Sequence, residues 1–319
     1  MTIYCATTDE IARAGRKIRE GGLVAFPTET VYGLGANALD GMAVASLYEA
    51  KGRPRFNPLI VHVPDAGAAR QLGIMTPLAA RLTDALWPGP LTLVLDKTPD
   101  CPVAELATAG LDSVALRVPS HPLARALLKA AECPVAAPSA NRSGHVSPTA
   151  ARHVEDDFAG AIDILDGGAC PLGMESTIVD ARGEAPVLLR AGAVTREEIA
   201  KASGMDVGIS GGPAARPSAP GQLESHYAPK AKVRLNATAA IAGEALLAFG
   251  PAPEHDGPSI NLSPAGDLRE AAARLFSALR ELDGSGAGTI AVMPIPCSGL
   301  GEAINDRLAR AAAPRPGGR

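Results

Sequence analysis

Long apolar runs are missing from this 319-residue chain, and none approaches the ~20 residues that a membrane-spanning helix needs. Aromatic residues are scarce, with five Phe, four Tyr and one Trp, so the core must be built from Ala, Val, Leu and Ile. Excess positive charge is also absent. A formal net charge of −4 argues against sequence-independent nucleic-acid binding, which needs a basic face, but leaves room for a local basic cleft. The five cysteines (Cys5, Cys101, Cys133, Cys170 and Cys297) are odd in number, widely spaced and never form CxxC. That pattern excludes a zinc ribbon or thioredoxin-type motif and predicts buried, reduced thiols. No two of the six histidines stand at i, i+3 or i, i+4, so a helical zinc site is not expected. The N-terminus, MTIYCATTDE, meets acidic residues before any apolar core, which is not a signal-peptide pattern and predicts a cytoplasmic protein.

Hydrolytic signatures are missing as well. GxSxG, HExxH and Walker A do not occur, and Lys51-Gly52 lacks the glycine-rich lead-in of a phosphate loop. What the chain does contain is length for about two domains and many short apolar runs at uneven spacing. A helix is expected from Asp9 to Glu20, with Thr7 and Glu10 as a capping box and Gly21-Gly22 as its stop. Strands are expected at 23–26, 59–63, 91–95, 114–118, 135–137, 162–165, 177–179 and 187–189, with helices near 65–72, 76–86, 122–131 and 149–156. This order predicts one large, twisted α/β sheet of mixed direction rather than a regular βαβ repeat. After Ala202 the composition turns to Gly, Ser, Pro and Ala, which marks a linker. A second unit begins near Lys232, with strands at 233–235, 246–249, 259–262 and 289–295 and a helix from Leu268 to Leu282 capped by Asp267. Strands alternating with helices imply a small, Rossmann-like parallel sheet; with no GxGxxG after its first strand, dinucleotide binding is not supported.

The richest stretch runs from Phe26 to His62. It opens FPTETVYGLG and ends KGRPRFNPLIVH, with Lys51, Arg53 and Arg55 two apart in a loop that Gly52 and Pro54 are expected to keep out of a helix. Cations in an irregular loop beside a buried strand suit a polyanionic small molecule; a solvated basic turn is the plainer alternative. Polar residues recur at strand ends: Thr28 and Thr30, Arg117 and Ser120, Ser139, Asn141 and Ser143, Ser176 and Thr177, and Arg190. Singly, Arg117 reads more readily as a structural ion pair, His62 as a satisfied core histidine and PSANRSG as a capped turn. Together they are expected to form a concave site for a phosphate-bearing ligand plus a zwitterion.

The ordered motifs FPTETVYGLG, KGRPxxNPLIVHV, SVALRVPSH, APSANRSGxxSPT, ESTIVD and LLRAG resemble the threonylcarbamoyl-AMP synthase family with its YrdC-type domain. HYAPK (His226 to Lys230) and GLGEAINDRLARAA resemble its long, two-domain form. The resemblance implies a catalytic domain at 1–205, a linker or lid at 206–231 and a small Rossmann-like domain at 232–319. It implies synthesis of threonylcarbamoyl-AMP and pyrophosphate from L-threonine, bicarbonate and ATP, with Mg²⁺ held mainly by the ATP phosphates. The product would pass to a tRNA threonylcarbamoyl transferase complex. By the same resemblance Arg53, Asn57, Ser113, Ser139, Ser147, Arg190 and Tyr227 contact ATP, and Lys51 lies near its phosphates, with Lys51 and Arg53 as the catalytic pair. Thr30, His62, Arg117, the Ala137 backbone and Ser176 hold threonine, with Arg117 on its carboxylate. Two rival readings remain at this level. One is an RNA-binding module, which the acidic balance opposes. The other is a hydrogenase-maturation carbamoyl-transfer domain, which would carry zinc-finger cysteines not present here.

Overall fold

The computed structural model describes residues 3–210 and 227–314. The chain begins with β1 (Ile3–Cys5) and α1 (Thr8–Arg19), whose N-cap Thr7 accepts from the Glu10 amide as its spacing predicts. Next come β2 (Val24–Phe26), β3 (Gly33–Asn37), α2 (Gly41–Lys51), β4 (Ile60–His62), α3 (Ala66–Leu72) and α4 (Pro77–Leu86). They are followed by β5 (Leu91–Asp96), β6 (Ser113–Arg117), α5 (Pro122–Ala131), β7 (Val135–Ala136), α6 (Ala151–Phe158) and β8 (Asp163–Asp166). The first unit ends with β9 (Thr177–Asp180), β10 (Val187–Arg190), α7 (Arg196–Ser203) and β11 (Gly208–Ile209). The second holds β12 (Lys232–Arg234), β13 (Ala245–Ala248), β14 (Ser259–Asn261), α8 (Leu268–Gly284), β15 (Thr289–Val292) and α9 (Leu300–Ala312).

The first unit forms one 11-stranded sheet in the order β1-β8-β2-β3-β7-β4-β6-β5-β9-β10-β11. It is mixed as expected: β4 runs parallel to β6 but antiparallel to β7, and β5 parallel to β9 but antiparallel to β6. The second unit is a four-stranded, all-parallel sheet in the order β12-β15-β13-β14. No helix among the described residues is long and apolar enough to cross a membrane.

Several elements depart from the expectations. β3 reads GLGAN, and two glycines in five residues hide a strand that pairs with both β2 and β7. α2 is apolar on most of its surface and shows no stripe, yet it carries Lys51 as its last residue. Lys51 is therefore helical, not in the loop; Gly52, at φ +60, closes the helix and turns the chain out. β11 adds to β10, so the first residues of the expected linker belong to the large sheet; 211–226, including His226, lie outside the described residues. Of the cysteines, Cys133 and Cys170 are buried, Cys101 is half-buried, and Cys297 is exposed because it precedes α9 in a surface loop.

The two units pack closely. Val31, Val146 and Met174 of the first share an apolar cluster with Leu275, Phe276 and Leu279 of α8. Polar ties flank it: Arg280 Nη2 donates to Asp157 Oδ2 at 2.6 Å, and Arg196 pairs with Glu302. At Gly173 (φ +59) a Cβ would stand 2.2 Å from the Ala273 carbonyl oxygen, so only glycine lets this turn meet α8. Gly173→Ala should cost about 2–4 kcal/mol in unfolding free energy, combining left-handed strain with overpacking. Urea unfolding of the two proteins measures it, and equal midpoints with equal slopes would contradict the contact.

Candidate active site

β4 and β6 set His62 beside Arg117 and Ile60 beside Ala115. Because side chains alternate along a strand, Val61 and Leu116 enter the main core while His62 and Arg117 emerge on the opposite face. There they floor a cleft of about 570 Å³. Thr30, His62, Arg117, Ala137 and Ser176, the expected threonine contacts, all line it. So do Arg53, Ser139, Arg190 and Tyr227 from the expected nucleotide set. Lys51, Asn57, Ser113 and Ser147 are not among its lining residues.

Arg117 is one of three arginines that line the cleft. Its Nη2 donates to Glu29 Oε1 at 2.7 Å and its Nη1 to Thr30 Oγ1 at 3.0 Å, while Nε reaches the Gly89 carbonyl at 3.4 Å. The ion-pair reading of Arg117 thus holds alongside the ligand reading, since three of the five guanidinium N–H groups are engaged and two are left. Burial alone would raise the Glu29 pKa, but the charge and hydrogen bond of Arg117 outweigh it, and Glu29 ends below the usual carboxylate range. His62 is not a satisfied core histidine. Its Nδ1 is buried without a hydrogen-bond partner among the described residues, and burial, then the Arg117 charge, pushes its pKa down to about 3. The ring is neutral and packs edge-on against Phe26 at 6.3 Å.

Two further guanidiniums face the cleft with no carboxylate partner among the described residues. Arg53 donates from Nε and Nη2 to the Asn57 and Pro58 carbonyls at 3.2 and 2.9 Å, and burial pushes its pKa down to about 10. Arg190 donates from Nη2 to the Ser176 carbonyl at 2.7 Å and hydroxyl at 3.1 Å, and burial lowers it as well. Buried cations held only by carbonyls and hydroxyls attract an anion strongly.

Behind the lining, Lys51 Nζ donates to the Ser139 carbonyl at 2.5 Å and to that of Asn141. Burial, then the Arg53 charge, drops the pKa of Lys51 well below the ordinary lysine value. Its observed role is to hold the PSANRSG loop, where Ser139 Oγ donates to Asn141 Oδ1 at 2.5 Å. Ser147 Oγ donates to Glu175 Oε1 at 2.6 Å. Ser113 opens β6 four residues before Arg117, and so on the same sheet face. Both polar atoms of the Asn57 amide are buried without a partner among the described residues, an arrangement that calls for a ligand or water.

The expected site set omitted Thr28 and Glu175, which line the cleft, and Glu29 and Arg307, which hold its charged groups. Glu29 and Glu175 were visible as acidic residues inside FPTET and ESTIVD, whereas nothing in LARAA singles out Arg307. Gly192, in the turn after β10, fits because a Cβ there would stand 2.5 Å from the Glu175 carbonyl oxygen.

Since the folded pKa of His62 lies below its unfolded value, the unfolded chain binds the extra proton, and stability falls as pH drops from about 6.5 toward 3. In His62→Gln the slope of unfolding free energy between about pH 4 and 6 should decrease by about 1.4 kcal/mol per pH unit. Unchanged slopes would mean that the folded ring accepts the proton freely.

Residues 16–192 match the family model described as "Telomere recombination", that of the Sua5, YciO and YrdC proteins. Residues 194–313 match the threonylcarbamoyl-AMP synthase C-terminal domain. The threonylcarbamoyl-AMP synthase of Pyrococcus abyssi is 44% identical, over 93% of this chain and 92% of its own. That of Bacillus subtilis is 41% identical, over 99% and 96%. The crystal structure of P. abyssi Sua5 complexed with L-threonine superposes with a TM-score of 0.90 at 39% identity, covering 98% of each chain. All residues lining the cleft fall within the two matched segments, and the chain belongs to the threonylcarbamoyl-AMP synthase family.

Proposed function

We propose that this chain is an L-threonylcarbamoyladenylate synthase, a nucleotidyltransferase that joins L-threonine, bicarbonate and ATP and releases pyrophosphate. The observation that carries the reading is the charge pattern of the cleft. The cleft holds a carboxylate-anchored guanidinium, Arg117, beside Thr30 and neutral His62, and also Arg53 and Arg190, which have no carboxylate ion-pair partner among the described residues. We read the first group as the end for a small zwitterion and the second as the end for a polyphosphate.

In this reading the threonine carboxylate takes the two remaining N–H donors of Arg117, and its hydroxyl and amine meet Thr30, neutral His62, Ser176 and the Ala137 backbone. The amine captures bicarbonate-derived carbon dioxide as a carbamate. A carbamate oxygen then attacks the α-phosphorus of ATP, the bond to the β-phosphate oxygen breaks, and pyrophosphate departs. Arg53 and Arg190 stabilise charge on the phosphates, while Ser139, Asn57, Ser113, Ser147 and Tyr227 position the nucleotide. Lys51 contributes by fixing the loop that carries Ser139. Such a displacement needs positioning and charge neutralisation more than an acid–base dyad.

Magnesium enters with the nucleotide as MgATP. Of the carboxylates nearby, Glu29 is engaged by Arg117 and Glu175 by Arg307. The product would serve a tRNA threonylcarbamoyl transferase complex in the cytoplasm.

Pyrophosphate release should require threonine and bicarbonate together with ATP, and release indifferent to threonine would refute the reading. Arg53→Ala should lower kcat/KM about 30- to 1,000-fold, the loss of about 2–4 kcal/mol of transition-state stabilisation. Steady-state kinetics at saturating threonine measures the effect.

A further inference from the structure

Arg307 belongs to α9 of the C-terminal unit, yet it ends beneath the cleft of the first unit and is fully buried. Its Nε donates to Glu175 Oε2 at 2.9 Å and its Nη2 to the Ala191 carbonyl at 2.8 Å. Its Nη1 meets Asp306 at 2.5 Å, and the guanidinium lies over the Tyr227 ring, 5.1 Å from its centroid. Tyr227 in turn stacks on Phe276 of α8 at 5.5 Å. Glu175 precedes Ser176 and Ala191 follows Arg190, so Arg307 grips both strand-end segments that meet at the nucleotide end.

Glu175 is the cleft carboxylate that Arg307 engages. It faces the same cavity as Arg190, and each feels the other's charge. Were Arg307 absent, Glu175 would be a buried carboxylate with Arg190 as the other cation whose charge acts on it, and pairing the two would relieve its desolvation. That pairing would cancel a positive charge where a polyphosphate must bind.

We propose that Arg307 is a positioning residue for the nucleotide end of the site: by engaging the Glu175 carboxylate from below, it keeps Arg190 available to the phosphates. The C-terminal domain thereby sets the affinity of the catalytic domain for its anionic substrate. This rests on the function proposed above.

The test is a charge-removal cycle on the full chain, comparing the parent with Arg307→Met, Glu175→Gln and the double variant. Equilibrium ATP binding, KM for ATP and KM for threonine are measured for each. Arg307→Met should weaken ATP binding and raise its KM by about ten-fold or more, with threonine KM moving less than about three-fold. The double variant, with no carboxylate left to claim Arg190, should return to within about three-fold of the parent in ATP binding. A double variant as weak as Arg307→Met, or a loss falling equally on both substrates, would overturn the proposal. If Arg307→Met does not fold, Arg307→Lys serves: it keeps the charge without the planar fork and should bind ATP between the parent and the charge-free case. ATP binding by Arg307→Lys that Glu175→Gln leaves unimproved would overturn it too. A parent protein that bound no ATP would refute the proposed function itself, a result separate from failed rescue in a parent that does bind it.

Discussion

Buried guanidinium groups crowded into one cleft repel one another, and each loses hydration that carbonyl oxygens only partly replace. Three such groups line this cleft, and a fourth lies just beneath it. The arrangement is tolerable because two buried carboxylates are interleaved with them: Glu29 under Arg117 and Glu175 between Arg190 and Arg307. Both carboxylates keep pKa values below the ordinary range although burial alone would raise them. With Glu29 held by Arg117 and Glu175 by Arg307, Arg53 and Arg190 are left without a carboxylate partner among the described residues.

This balance divides one cavity into two chemical environments. Around Arg117 the guanidinium is tied to Glu29 and Thr30, and two of its N–H groups and His62 Nδ1 have no partner among the described residues. At the Arg53 and Arg190 end, donors face the cavity in excess of acceptors, as a polyanion requires. β4 and β6 project His62 and Arg117, while the loop after α2 carries Arg53 and the last residue of β10 is Arg190.

Much of this could be read from residue order. Apolar runs bounded by Gly, Pro and Ser marked β4, β5, β6 and β9, and the polar residues at their ends marked the cleft, because a strand end is where backbone regularity stops. β3 and α2 escaped notice for opposite reasons. GLGAN has too little strand character, and GMAVASLYEAK is too uniformly apolar to show a helical stripe. The Lys51 environment was hidden for a related reason: KGRPR looks like a run of solvated cations, and only the fold turns its first member inward onto two carbonyls. Arg307 could not have been singled out at all. Its importance comes from a partner 132 positions away in the chain, a pairing that no local pattern encodes.

An 11-stranded sheet would ordinarily present long rows of unpaired amides at its two margins. Here the outermost strands are β1, three residues long, and β11, only two. The small sheet likewise ends on three-residue strands, β12 and β14. A foreign strand thus finds almost no template to extend, so the fold carries its own protection against edge-to-edge aggregation.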